Sequence, residues 1–219
     1  MDAVFFDLDG TLVDLDGTYD AVFETALTDC GVTPRPEHGE RYNEAFFEYF
    51  GECRSDPYRE AMADLREAFD LDPTAEALAD ALVAAELERT ELRPGAREVL
   101  DALDAPDRPL GVLTNGAGPV QRRKLDRLGV ADRFDVVVAS CEVGAGKPDP
   151  EIFAAAKRAL PADGYVFVAD DLERDVLPAQ QSGFAGVYLR NEADDEAYVE
   201  ANADHAVESL REVPAVLNE

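Results

Sequence analysis

Lysine is almost missing from this chain: Lys124, Lys147 and Lys157 are its only three. Acidic residues number 48 against 20 basic ones, a net charge of −28, and they run along the whole sequence rather than forming a tail. That surface excludes nucleic-acid polymers as partners, because phosphates need basic contacts. It also argues against docking on anionic membranes. Cysteine is sparse: Cys30, Cys53 and Cys141 lie far apart, too scattered for a CxxC metal site and odd in number. They read as reduced, mostly buried thiols. No apolar run approaches the roughly 18 residues of a membrane span, and no basic-then-apolar leader precedes the first strand. The expected location is cytoplasmic. The acidity points to a salt-loving organism, where repulsion between carboxylates is screened. His38 and His205 lack ligand-like neighbours, and there is no internal repeat.

What is present suits a soluble globular protein: 219 residues, 46% hydrophobic and 31% charged, enough to bury a good core. The chain is organised around Ala3-Val-Phe-Phe-Asp-Leu-Asp-Gly-Thr11. Val4, Phe5 and Phe6 suit a buried strand. Asp7 and Asp9 then arrive two apart, a spacing that predicts both carboxylates on one side of the strand end. Two acids so placed need a cation, a shared proton or solvent. Gly10 permits close backbone approach and Thr11 adds a hydroxyl, so the stretch reads as a nucleophile and an acid/base aimed at a metal-bound phosphate. A hydrated acidic turn is the plainer alternative for the motif taken alone.

Residues 12 to 20 read as a polar hinge. From Thr18 to about Thr90 the pattern is helical, with a first helix stopping before Gly31 and a second carrying Tyr42, Phe46, Tyr49 and Phe50 on one face. Ser55-Asp56-Pro57 and Asp72-Pro73 look like two more helix starts. The four aromatic residues are expected in a helical core rather than on a ligand wall, and Arg54 and Arg59 on the surface. After Arg93-Pro94-Gly95 helices and strands alternate. Strands are expected at Pro109–Thr114, Phe134–Ala139, Tyr165–Ala169, Gly186–Leu189 and near His205–Val207, with helices between them and one at the end. The fold class is therefore α/β, a Rossmann-like parallel sheet with helices on both faces and an inserted all-helical cap. Ligands of such sheets bind beyond the C-terminal strand ends.

Four features fall at those ends: Asp7 to Thr11; Thr114-Asn115-Gly116, whose hydroxyl and backbone N–H groups form a phosphate seat before a helix; Gly146-Lys147-Pro148; and Asp170-Asp171 with Asp175 following. Singly, each of the last three is an ordinary turn, surface lysine or helix start. In this order, all at strand ends, they form a constellation.

That constellation resembles the haloacid dehalogenase-like superfamily, specifically phosphatases with a helical cap inserted after the first strand. The likeness covers a core over residues 1–15 and 91–219 and a cap over 16–90. It is nearest to the branch of nucleotide 5′-phosphatases and phosphoglycolate phosphatases. The resemblance implies Mg2+-dependent hydrolysis of a small phosphate monoester through an aspartyl-phosphate. Asp7 is the nucleophile and Asp9 the general acid/base, with Thr114 and Lys147 completing the catalytic set. Asp7, Gly10, Thr114, Asn115 and Lys147 hold the phosphate, while Asp7, Asp9 (through its carbonyl), Asp170 and Asp175 serve the metal. Ala169 stands where the family has glycine and Arg174 where it has asparagine, which leaves Asp171 as a second candidate beside Asp175. The cap is expected to choose the substrate, a small phosphorylated metabolite such as a nucleoside monophosphate, phosphoglycolate or a sugar phosphate. A monomer or weak homodimer is expected.

Asp9 separates this chain from the dehalogenase branch, which lacks an acid there because a departing halide needs no proton. A sugar-phosphate mutase would share the same acids, and a non-catalytic phospho-ligand-binding protein is the reading from another class. A receiver domain would be shorter, with its acid pair and phosphorylated Asp on different strands. A phosphate-binding kinase loop is excluded because Pro148, not Ser or Thr, follows Lys147.

Overall fold

The computed structural model describes residues 2–103, 108–191 and 195–217. Its sheet grows from the most apolar segments of the sequence. Strand β1 (Ala3–Phe6) is buried along its whole length. The chain returns through a short strand β2 (Val13–Leu15) into four helices, α1 (Tyr19–Asp29), α2 (Pro36–Gly51), α3 (Pro57–Phe69) and α4 (Ala75–Arg89). A short strand β3 (Thr90–Leu92) pairs with β2 in a two-stranded ribbon. Alternation then sets in: α5 (Ala96–Leu103), β4 (Leu110–Thr114), α6 (Gly118–Leu128), β5 (Val136–Ala139), α7 (Ser140–Val143), α8 (Pro150–Ala159) and β6 (Tyr165–Ala169). A wide turn at Leu172–Val176 leads into α9 (Leu177–Gln181), β7 (Ala185–Leu189), α10 (Glu196–Asn202), β8 (His205–Val207) and α11 (Val213–Val216).

The main sheet is parallel throughout, in the order β5-β4-β1-β6-β7-β8. β1 lies centrally, with Phe6 in register with Val112 of β4 and Val168 of β6. Residues of β1 alternate between two cores, as a pleated strand requires. Val4 and Phe6 pack with α5, Leu125 of α6 and Val213, whereas Ala3 and Phe5 pack with Ile152 and Phe153 of α8, Phe167 and Phe184. The α/β reading, with helices on both faces and a helical insertion, holds.

The chain divides into two compact units, Met1–Asp14 with Leu92–Glu219, and Leu15–Glu91. The second has its own core of Val22, Leu27, Tyr42, Met62, Leu65 and Leu78, against which Phe46 and Tyr49 pack. The aromatic face of α2 is thus core, with Phe46 stacked on Tyr42 at 5.6 Å and on Phe50 at 5.5 Å between ring centres. Arg54 pairs on the surface with Glu52 and Glu60, and Arg59 with Asp56.

Local chemistry sets the boundaries. Thr18 and Asp56 cap α1 and α3, their side chains accepting from Ala21 N and Arg59 N. Thr74 caps α4, so that helix begins at Ala75 rather than at Asp72-Pro73. Gly129 ends α6 with φ +64°, a conformation that glycine takes without strain. The polar hinge turns out to contain β2, and β3 also escapes a sequence reading. Strands of three residues containing polar side chains carry too little alternation. The thiols differ as well: Cys141 is buried, while Cys30 and Cys53 are half-exposed. Among the described residues no helix is long and apolar enough to cross a membrane.

Candidate active site

Every site residue described below belongs to the unit containing the main sheet. β1 ends at Phe6, and Asp7 N still donates to Val168 O at 2.9 Å, so the sheet fixes the first acid directly. Beyond it the chain turns. Gly10 adopts φ +89°, and a Cβ there would lie 2.4 Å from Asp170 Oδ2, so only glycine lets that carboxylate come so close. The strand periodicity therefore does not extend through Asp9, and the two motif acids engage different partners.

Asp7 is buried and meets Lys147 Nζ at 2.7 Å. The same ammonium lies 2.9 Å from Asp175 Oδ2, Asp175 being fully buried. It also sits over the Phe167 ring at 5.2 Å from the centre. Asp170, just past β6, accepts from Thr11 Oγ1 at 2.9 Å. One oxygen each from Asp7, Asp170 and Asp175 falls within 4.8 Å of the others. Asp175 Oδ1 is buried without a hydrogen-bond partner among the described residues, although Arg174 Nε approaches to 3.5 Å.

These positions shift the acids. Burial pushes Asp7 up to about 6, with Asp175 and Asp9 adding to the effect and Lys147 opposing it. Burial also raises Asp170, partly offset by the Thr11 hydroxyl. For Lys147 burial presses downward, yet Asp7 and Asp175 outweigh it and hold the ammonium above the ordinary lysine value.

Asp9 turns instead to α6. Lys124 Nζ lies 2.7 Å from its Oδ1, and Gln121 Nε2 donates to its Oδ2 at 2.8 Å. Gln121 Nε2 also lies 2.8 Å from Thr114 Oγ1, which joins the ends of β1 and β4. Arg93 donates to the carbonyl of Gly10 and steadies the turn.

The structure separates the two acid candidates after β6. Asp175 joins the carboxylate cluster, whereas Asp171 accepts from Arg174 N at 2.8 Å and caps the Leu172–Val176 turn. The segment after β4 also differs from the open phosphate seat expected of it. Gly116 N donates to Ser140 Oγ at 2.9 Å, and the Asn115 amide clamps the backbone of Lys147 with bonds of 2.9 and 2.7 Å. Asn115 thus fixes the lysine, and its side chain is not free for a ligand. Gln121, Lys124 and Arg93 were not among the sequence candidates. The scarcity of lysine and the helical spacing of 121 and 124 were the only signals for the first two.

The chain matches the family described as haloacid dehalogenase-like hydrolases over residues 1–183. It is 31% identical over 216 residues to validoxylamine A 7′-phosphate phosphatase of Streptomyces hygroscopicus subsp. limoneus, covering 95% of this chain and 93% of that one. It is 34% identical over 139 residues to ribulose-1,5-bisphosphate 5-phosphatase of Halopiger xanaduensis, a match spanning 59% of this chain and 58% of that one. Among solved structures, 2-haloacid dehalogenase from Pseudomonas syringae pv. Tomato superposes with a TM-score of 0.74 at 28% identity, covering 100% of this chain and 98% of that one. With its parallel sheet, its acids at the strand ends and a family match over most of its length, the chain belongs to the haloacid dehalogenase-like hydrolases.

Proposed function

We propose that this hydrolase frees inorganic phosphate from a small phosphate monoester through an aspartyl-phosphate on Asp7. The observation that carries the reading is the pairing of buried Asp7 with Lys147 and Asp175, while a second carboxylate, Asp9, stands two residues on with its own partners. In the first step an Asp7 oxygen bonds to phosphorus as the ester P–O bond breaks, and Asp9 gives its proton to the departing oxygen. In the second, Asp9 takes a proton from a water whose oxygen bonds to phosphorus, and the bond from phosphorus to Asp7 breaks. Lys147 and the Thr114 hydroxyl hold the non-bridging oxygens and offset their charge.

The donor set fits a hard divalent cation: three carboxylates converge, and Asp175 Oδ1 is buried with no hydrogen-bond partner among the described residues beyond the 3.5 Å approach of Arg174. We assign Mg2+ to the side chains of Asp7 and Asp170 and the Asp9 carbonyl, with Asp175 anchoring its surroundings. When bound, it supplies the positive charge that lets a phosphate dianion approach these acids. Asp9 favours ester hydrolysis over dehalogenation, although a dehalogenase shares the fold. We read the Leu15–Glu91 unit as the cap. We rank sugar phosphates first among the substrates, ahead of nucleoside monophosphates and phosphoglycolate, an order that the relative named for ribulose-1,5-bisphosphate supports.

The test is phosphate release from a panel of these esters and p-nitrophenyl phosphate, with Mg2+ in molar potassium chloride and EDTA as control. Metal-dependent release with one ester well ahead is expected. Transfer of phosphate between positions of one sugar would instead identify a mutase, and folded protein inert toward every ester would mean a binding role.

A further inference from the structure

Two of the three lysines in this chain are buried, one against each acid of the Asp7–Asp9 motif. Lys147 belongs to the constellation already described. Lys124 does not, and it shares a helix face with Gln121, three residues earlier on α6. Lys124 and Gln121 each retain only 2% of their exposure. A buried ammonium is costly unless it is paired, so the position has a specific use. We propose that Lys124 and Gln121 are positioning residues that aim the Asp9 carboxylate and register it with the Thr114 hydroxyl. This rests on the roles given above to Asp7 and Asp9.

The geometry carries the inference. β1 has ended before Asp9, whose backbone makes only an isolated bridge to Val13; that bridge does not hold the side chain, 37% of which is exposed. A carboxylate held through one oxygen turns about its Cβ–Cγ bond. Asp9 is held through both, Oδ1 by Lys124 at 2.7 Å and Oδ2 by Gln121 at 2.8 Å, so the plane of the carboxylate is set. The same Gln121 nitrogen lies 2.8 Å from Thr114 Oγ1. An amide nitrogen only donates, so the Thr114 oxygen accepts this bond and its proton must point elsewhere. Its contact with Asn115 O is long, 3.4 Å. The hydroxyl is thereby turned to donate to a phosphoryl oxygen. One glutamine thus sets the acid/base and the phosphate donor against each other, on a helix tied to the core by Leu125.

The experiment separates the two chemical steps. With p-nitrophenyl phosphate, nitrophenolate departs without a proton, so formation of the phosphoenzyme does not require Asp9. Its hydrolysis does. Lys124→Met is expected to release up to one nitrophenolate per site in a fast burst, then turn over at least ten-fold more slowly than the parent, with 32P-phosphate trapped on the protein. Lys124→Arg, which keeps the charge, is expected to recover part of the second step. Should Lys124→Met fold poorly, Gln121→Leu gives the independent reading: slow turnover, and a raised KM because Thr114 loses its orientation. Turnover within two-fold of the parent in both variants would overturn the proposal. So would an equal fall in burst rate and turnover in Lys124→Met. A parent protein that releases phosphate from no ester would instead bring down the phosphatase reading on which the proposal rests.

Discussion

The two compact units handle buried polarity in opposite ways. The unit with the main sheet buries Asp7, Thr11, Thr114, Gln121, Lys124, Ser140, Lys147 and Asp175, all at or near the C-terminal ends of β1, β4, β5 and β6. In the helical unit, Leu15–Glu91, the buried polar residues among those described are His38, Glu86 and Thr90, and its ion pairs are exposed or, for Arg41–Asp64, half-buried. The difference teaches where this protein tolerates strain. Burying like charges opposes folding, and a fold retains them where the chemistry needs them. The helical unit stays closer to the ordinary rule of an apolar interior: among its described residues Glu86 is the one buried carboxylate, and it accepts from the Tyr58 hydroxyl.

The sharpest way to break that comparison is Asp7→Asn. It is expected to lower phosphate release by at least roughly 1,000-fold, as loss of a nucleophile does, with the circular dichroism of the parent. Near-parental activity would refute the nucleophile assignment. Leu65→Ala probes the other unit. Leu65 is fully buried in its helical core, so truncation is expected to cost about 3 kcal/mol in urea unfolding.

A subtler test uses pH on metal-free protein. Asp7 rises from 3.8 to about 6 on folding, so the folded state binds this proton more tightly than the unfolded chain. The penalty is therefore full above pH 6 and fades as pH falls from 6 towards 3.8, by about 1.4 kcal/mol per pH unit. The advantage of Asp7→Asn over the parent in unfolding free energy is accordingly expected to be largest at pH 7 and to shrink by pH 4.5. A constant difference would show that Asp7 is not strained.

Thr11→Val comes next. It removes the bond to Asp170 but keeps the shape, and a loss of about 1 kcal/mol is expected. The smallest effect belongs to the helical surface: Arg54→Ala breaks pairs with Glu52 and Glu60 that water already screens, and its melting midpoint should match the parent's. The net charge of −28 acts on both units together, so melting across a potassium chloride series is expected to show a midpoint rising with salt.

Long, regular segments were legible without coordinates. The run Tyr165–Ala169 is a strand over the expected residues, and the face of Tyr42, Phe46 and Tyr49 is helical core. Most short pieces were not: β2, β3, α7 and α10 lack the length over which periodicity accumulates, although the three-residue β8 falls at the expected His205–Val207. At the site, local spacing could not foresee the partners of Asp9, because Gln121 and Lys124 lie 112 and 115 residues away in the chain. Nor could spacing choose between Asp171 and Asp175. That choice depends on which carboxylate the Leu172–Val176 turn uses as its cap.

The sequence by itself determined the parallel α/β arrangement, the helical insertion and the acids that arrive at strand ends. Those follow from hydrophobic period and chain order, both of which are local. Only the tertiary structure decided which charge meets which. Lys147 lies 140 residues from Asp7, and Lys124 lies 115 from Asp9. The pairings exist because the parallel order β5-β4-β1-β6 brings α6 with Lys124, which follows β4, and the segment with Lys147, which follows β5 and α7, to the end of the sheet where β1 delivers Asp7 and Asp9. A salt bridge between residues so far apart leaves no periodic trace in the chain, and burial, which gives each pair its strength, is a property of the folded whole.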